Sequence, residues 1–189
     1  MTKETENKQG KKTLAAVVGT GAAAILLGIG SQVGFTERFE GMVLRGYYDP
    51  IGVPTKCAGD TYNVQIDKRY TIEECRESLE QGLIKHAEPV LKCAPNLRTQ
   101  GYPFALAAAV DHNYHFGTFC GTSIDSAFKR GDYATACKRF NERPNGTPQW
   151  VFVKDKFNRA TQTWSYKTLP GLIKRAAARR ELCEKGAAK

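Results

Sequence analysis

The sequence predicts an α+β fold, mostly helical, with a small β-hairpin lobe followed by a helical lobe. Three observations carry this. Residues 46–57, "GYYDPIGVPTKC", place aromatic and β-branched residues around Asp49, Pro50 and Gly52, at positions i, i+1 and i+3 of a type I turn. Thr71 and Glu74 in "TIEE" form a capping box, after which Ile72, Cys75, Leu79, Leu83, His86 and Val90 recur at helical spacing. Further helix starts then follow one another towards the C-terminus.

The elements run in order as follows. Residues 1–12 are polar and end in Lys11 and Lys12, and residues 13–30 carry no charge. Such a run is just long enough to span a bilayer, near the short end of the usual range of about 17–25 residues. The flanking lysines would keep its N-terminal end in the cytoplasm. Gly19, Gly21, Gly28, Gly30 and the alanines dilute its strong hydrophobes, so residues 13–30 read as a marginal transmembrane segment able to leave the membrane. A cleaved signal peptide, a permanent anchor and a buried soluble helix are the alternatives. The first three of these four readings in terms of membrane targeting, unlike the last, place residues 31–189 outside the cytoplasm.

Thr36 is positioned to cap a helix over residues 37–44. Pro54 lacks an N–H, so its strand is expected at an edge or at a bulge. Pro89 should kink or end the long helix. Pro103 can open the next helix, which is apolar nearly all round and so belongs in the core. "TSID" opens another helix that Gly131 stops, Asp132 caps the following one, and Pro170 opens the last. Residues 143–169, with Trp150, Phe152, Phe157, Trp164 and Tyr166, read as one or two hairpins or a long loop. The small lobe should span about 35–70 and the helical lobe about 71–185.

The chain has 189 residues and a formal net charge of +9. That charge suits an anionic partner such as nucleic acid, anionic lipid or an acidic polymer. All six cysteines lie after residue 50, an even set that suggests disulfides and an oxidising compartment. There is no C-x-x-C pair, which argues against a structural zinc or a redox motif.

Two carboxylates frame "ERFEGMVLRGYYDPIGVPT". Breaking a glycosidic bond needs one group to protonate the leaving oxygen and another to handle water or attack the sugar. Glu40, beside Phe39 and Met42, is the candidate acid, with apolar surroundings expected to raise its pKa. Asp49 would be the ionised partner, and the Thr55 hydroxyl could hold a water. In a clean hairpin Asp49 and Thr55 would point to opposite faces, so the pair requires a bulge at Pro54 or another distortion. His86, His112 and His115 invite a metal reading, but no H-E-x-x-H motif accompanies them.

The pattern E-G-x-x-L-x-x-Y-x-D-x-x-G-x-x-T is present as Glu40, Gly41, Leu44, Tyr47, Asp49, Gly52 and Thr55. Together with "NYHFGTFCGTS", "KRGDYATAC" and "LPGLIKR" in the same order, it makes residues 31–189 resemble a phage lysozyme, or endolysin, of glycoside hydrolase family 24. The resemblance implies a lysozyme-like two-lobed fold and cleavage of peptidoglycan glycan strands between N-acetylmuramic acid and N-acetylglucosamine. It implies Glu40 as general acid, with Asp49 and Thr55 positioning the water, and an inverting outcome. No cofactor or metal is implied, the partner is peptidoglycan rather than nucleic acid, and the protein is expected as a monomer. With residues 13–30 it resembles the signal-anchor-release type, first held in the host inner membrane and then freed into the periplasm for host lysis.

Departures from the family pattern stand beside it. The chain has "TKCAGDT" where a histidine usually follows the threonine, so a buttress for the acid is expected to be missing, and Asp60 adds negative charge. His115 stands where the family usually has glycine. A zinc amidase or peptidase, or a basic wall-binding protein gripping anions through "KRAAARR", are the competing readings. Of the 15 possible disulfide connectivities, Cys137–Cys183 is favoured and Cys75–Cys93 disfavoured, since a helix would hold the latter pair far apart.

Overall fold

The computed structural model describes residues 12–28, 34–49 and 52–187. Most of the basic N-terminal region, Gly30, and the turn residues Pro50 and Ile51 lie outside the described residues.

The uncharged segment does not form one long helix. Thr13 caps α1 (Leu14–Val18), its hydroxyl accepting from Ala16 N at 3.3 Å. Gly19, at φ 84°, breaks the chain before α2 (Thr20–Leu27). Among the described residues no helix is long and apolar enough to cross a membrane. In this folded form Leu14, Val18, Ala22, Ala23 and Leu26 of the expected membrane segment are buried in the helical core. The small residues that make the segment a poor bilayer helix let it pack closely. A Cβ added at Gly21 would stand 3.1 Å from Pro103 Cβ. Polar clasps flank it, with Leu14 N donating to Glu80 Oε1 at 2.8 Å and Arg98 Nη2 to Ala16 O at 2.9 Å.

The next helix, α3 (Phe35–Glu40), starts earlier and ends sooner than expected, with Gly34 rather than Thr36 at its N-cap. Thr36 is buried instead. At Gly34 a Cβ would fall 2.3 Å from Leu26 O, so this glycine lets α3 press against the end of α2. Gly41, at φ 73°, then turns the chain into β1 (Val43–Tyr48), which pairs antiparallel with β2 (Pro54–Cys57). Residues 65–70 fold back along β1, with Gly46 N donating to Lys68 O and Tyr70 N to Leu44 O.

The capping box forms as expected and opens α4 (Ile72–Cys93), whose inner face buries Cys75, Leu79, Leu83 and Val90. Pro89 does not end this helix, which continues to Cys93. Near the proline, Asn113 Nδ2 donates to His86 O at 2.8 Å and so engages a carbonyl in the perturbed turn. A short α5 (Asn96–Thr99) precedes α6 (Pro103–Phe116), the central helix of the core. Thr122 caps α7 (Ser123–Lys129) and Asp132 caps α8 (Tyr133–Lys138). Residues 143–169 resolve into one hairpin, β3 (Phe152–Asn158) with β4 (Thr163–Thr168), and α9 (Pro170–Ala187) closes the fold against α6.

Three disulfides pin these parts together. Cys137–Cys183 joins α8 to α9, the favoured pairing. Cys57–Cys75 ties the small lobe to α4, and Cys93–Cys120 ties the end of α4 to the loop after α6.

Candidate active site

Between the small lobe and the helical lobe lies a cleft of about 960 Å³. One wall comes from residues of the 56–70 segment, the other from α4, including Ser78, Gln81 and Lys85, and from Tyr114 and His115 of α6. That volume is at the upper end for ligand sites and suits a polymer segment. Glu40, the last residue of α3, lines it.

Glu40 is gripped from two helices. Arg175 Nη1 of α9 forms an ion pair with Glu40 Oε1, and His115 Nδ1 of α6 lies 3.3 Å from the same oxygen. Burial alone would push the carboxyl pKa up. The His115 hydrogen bond and the Arg175 charge outweigh it, so Glu40 is held below its ordinary range. This corrects the expectation of a raised pKa: the neighbours are charged and hydrogen-bonding, and apolar contact is not decisive. The missing buttress is also corrected, because His115, from the position where glycine is usual, contacts the acid directly.

Arg175 itself is anchored on Asp111, with Nη2 to Oδ1 at 2.8 Å and Nε to Oδ2 at 3.3 Å. Arg179 Nε reaches the same carboxylate at 2.6 Å. Burial would raise the Asp111 pKa, but the two guanidiniums hold it down at about 2. Arg175 and Arg179 are 3 % and 0 % exposed, which counts against the competing reading of "KRAAARR" as an anion-gripping surface: these two arginines serve a buried network. Tyr114, raised by burial, keeps its proton and donates from its hydroxyl to Ala58 O at 3.0 Å across the cleft.

Asp49 lies at the hairpin turn. Its Oδ1 accepts from Val53 N at 2.8 Å, its own N–H donates to Val53 O, and Gly52 N donates to its carbonyl. Thr55, 4 % exposed, donates to Val53 O at 3.0 Å. Tyr47 pairs with Thr55 and Tyr48 with Pro54, so no bulge lies at Pro54; the irregularity falls between Val43 and Tyr47. By alternation from the Tyr47–Thr55 pair, Asp49 and Thr55 share one face, contrary to the expectation for a clean hairpin. Among the described residues that line the cleft, Glu40 is present and Asp49 and Thr55 are not.

The other polar candidates separate. His112 is buried against Phe116, Phe140 and Trp150, and burial pushes its pKa down to about 3, so it is neutral. His86 meets Tyr114 edge-on, and His115 faces Glu40. Among the described residues no three His, Cys, Asp or Glu side chains are grouped to hold a metal. Asp60 is paired with Lys56 at 3.4 Å, so its charge is locally balanced. Sequence reasoning missed the roles of Arg175, Asp111 and Arg179. Arg175 is the arginine of "LPGLIKR", but its partners lie 64 and 135 positions away, beyond any local spacing signal.

A two-lobed α+β fold with a carboxylate in the interlobe cleft defines a lysozyme-type glycosidase. The phage lysozyme family profile matches residues 37–179, and the chain belongs to that family, whose members hydrolyse peptidoglycan for host lysis. It is similar to the SAR-endolysins of Enterobacteria phages PA-2 and P21, each 25 % identical over 177 residues, covering 92 % of this chain and 94 % of theirs. The fold resembles the endolysin from Escherichia coli O157:H7 phage FAHEc1, with TM-score 0.65, 19 % identity, and coverage of 93 % and 95 % of the two chains. It also resembles the active form of P1 phage endolysin Lyz, with TM-score 0.60, 18 % identity, and coverage of 92 % and 88 %.

Proposed function

We propose that this lysozyme cuts the β-1,4 bond between N-acetylmuramic acid and N-acetylglucosamine, with Glu40 as general acid and Asp49 and Thr55 positioning the water. The observation that carries the reading is Glu40 in the interlobe cleft, held by Arg175 and His115. In the free enzyme these partners favour the carboxylate, whereas the leaving oxygen needs a proton. A glycan entering the cleft displaces water around Glu40 and strengthens desolvation, which raises its pKa towards the working range. Glu40→Gln should remove release of reducing ends from purified peptidoglycan while wall binding persists. Equal activity in that variant would overturn the assignment.

Residues 13–30 serve, in this proposal, first as a membrane tether with the N-terminus cytoplasmic and then as part of the periplasmic, monomeric enzyme. Its support is the uncharged run behind Lys11 and Lys12 and the SAR-endolysin names of the relatives. While the segment is in the bilayer, the places of Leu14, Val18, Ala22, Ala23 and Leu26 in the core are empty, and α3 lacks the helix it packs on. No cysteine lies in residues 13–30, so refolding of the segment, not thiol exchange with it, sets the active geometry. A chain lacking residues 1–30 should be much less active than the released full-length form; equal activity would refute this role.

A further inference from the structure

The β3–β4 hairpin is the part of the chain that the catalytic reading leaves unused. Lys154 pairs with Tyr166 and Phe157 with Trp164, three residues along β3 against two along β4. This bulge brings Phe157 onto the face already holding Phe152 and Lys154, opposite Trp164 and Tyr166. Phe152, Phe157, Trp164 and Tyr166 remain 37 %, 41 %, 42 % and 62 % exposed. The rings are ordered among themselves: Phe157 and Trp164 centroids are 5.1 Å apart, and Lys154 Nζ lies 5.1 Å from the Trp164 centroid. Arg143 stacks 5.5 Å from the Phe152 ring. The other face carries Val153 and Lys167, the latter bonded to Asp155 at 2.8 Å.

We infer that this aromatic face is a second grip for the glycan strand, outside the cleft. This rests on the proposed peptidoglycan reading. Flat aromatic rings match the C–H faces of pyranose rings, and Lys154 and Arg143 complement the carboxylates carried by wall strands. The position fits as well. Leu169 N closes the hairpin base on Val151 O, α9 begins at the next residue, and Arg175 follows five residues later. At about 1.5 Å per residue that is roughly 7.5 Å along α9 from its first residue to the one holding Glu40.

The test uses the full-length chain carrying Glu40→Gln, so that binding is measured without turnover, and purified insoluble sacculi as the probe. Adding Trp164→Ala and Tyr166→Ala should weaken sacculus affinity about tenfold, the scale of losing one or two interface anchors. Trp164→Phe should restore most of it, and Asp155→Ala on the opposite face should leave it unchanged. Unchanged affinity in the double variant, or an equal loss in Asp155→Ala, overturns the inference. So does a loss seen on phosphatidylglycerol vesicles and not on sacculi, which would make the face a lipid contact. Reducing-end release by the unsubstituted chain reports separately on the proposed reaction.

Discussion

His115 Nδ1 stands 3.3 Å from Glu40 Oε1 and 3.1 Å from Arg175 Nη1, so one imidazole nitrogen faces an anion and a cation. Arginine can only donate, so the Arg175 contact requires an unprotonated Nδ1, whereas a hydrogen bond to Glu40 requires a proton there. The two contacts belong to different proton arrangements, and His115 stands between the carboxylate and the guanidinium. His115→Gly removes the side chain whose hydrogen bond most lowers the Glu40 pKa. The carboxyl pKa should rise, and the alkaline limb of the pH–activity profile, which tracks a protonated acid, should move to higher pH. Reducing-end release measured across pH checks this; an unmoved limb would show that His115 does not tune the acid.

Arg175→Ala should be costly in both stability and activity. It strips Glu40 of its ion pair and leaves Asp111 with Arg179 alone. Breaking a buried pair by removing one partner costs about 3–5 kcal/mol. Urea unfolding should show a loss of that size, and Arg175→Lys should recover only part of it, because an ammonium cannot bridge two carboxylates through a planar fork.

Asp111 predicts the acid limit of folding. Its folded pKa of about 2 lies below the ordinary value of 3.8. A depressed carboxylate pKa stabilises the fold above the unfolded value, and that stabilisation fades as pH falls from about 4 through about 2. Over that window it is worth about 2 kcal/mol. Thermal midpoints recorded across this window should drop for the parent and much less for Asp111→Asn, which will itself start from lower stability.

Leu26→Ala should destabilise the folded enzyme by about 2–5 kcal/mol, the range for truncating a buried leucine. Gly34→Ala should do comparable damage by a different route, since its Cβ meets the Leu26 carbonyl. Chemical denaturation distinguishes these from surface substitutions such as Lys92→Ala, expected within about 0.5 kcal/mol of the parent.

Helix starts were legible because caps and prolines act locally. Thr71, Pro103, Thr122, Asp132 and Pro170 each mark a helix start where expected. Glu40 was singled out by its spacing to Asp49 and Thr55, and of the three it alone lines the cleft among the described residues. What failed depended on distant parts of the chain. Apolar residues 13–30 suit a bilayer and a protein core equally, and the α6 surface against which α2 packs cannot be read from that segment. The ionisation of Glu40 turned on Arg175 and His115, residues far along the chain, so its local apolar neighbours misled. The hairpin register resisted for a related reason: the irregularity between Val43 and Tyr47 follows from residues 65–70 bonding back onto β1.

The Arg175–Glu40 pair spans 135 positions, and this sets an order of events during synthesis. When Glu40, the hairpin and α4 have left the ribosome, the guanidinium that anchors the acid has not yet been made. The emerging chain therefore carries its acid without its main electrostatic anchor until α9 is translated and docks on α6. The Glu40–Arg175 contact cannot form before the last helix is made, however much of the rest of the chain has already folded.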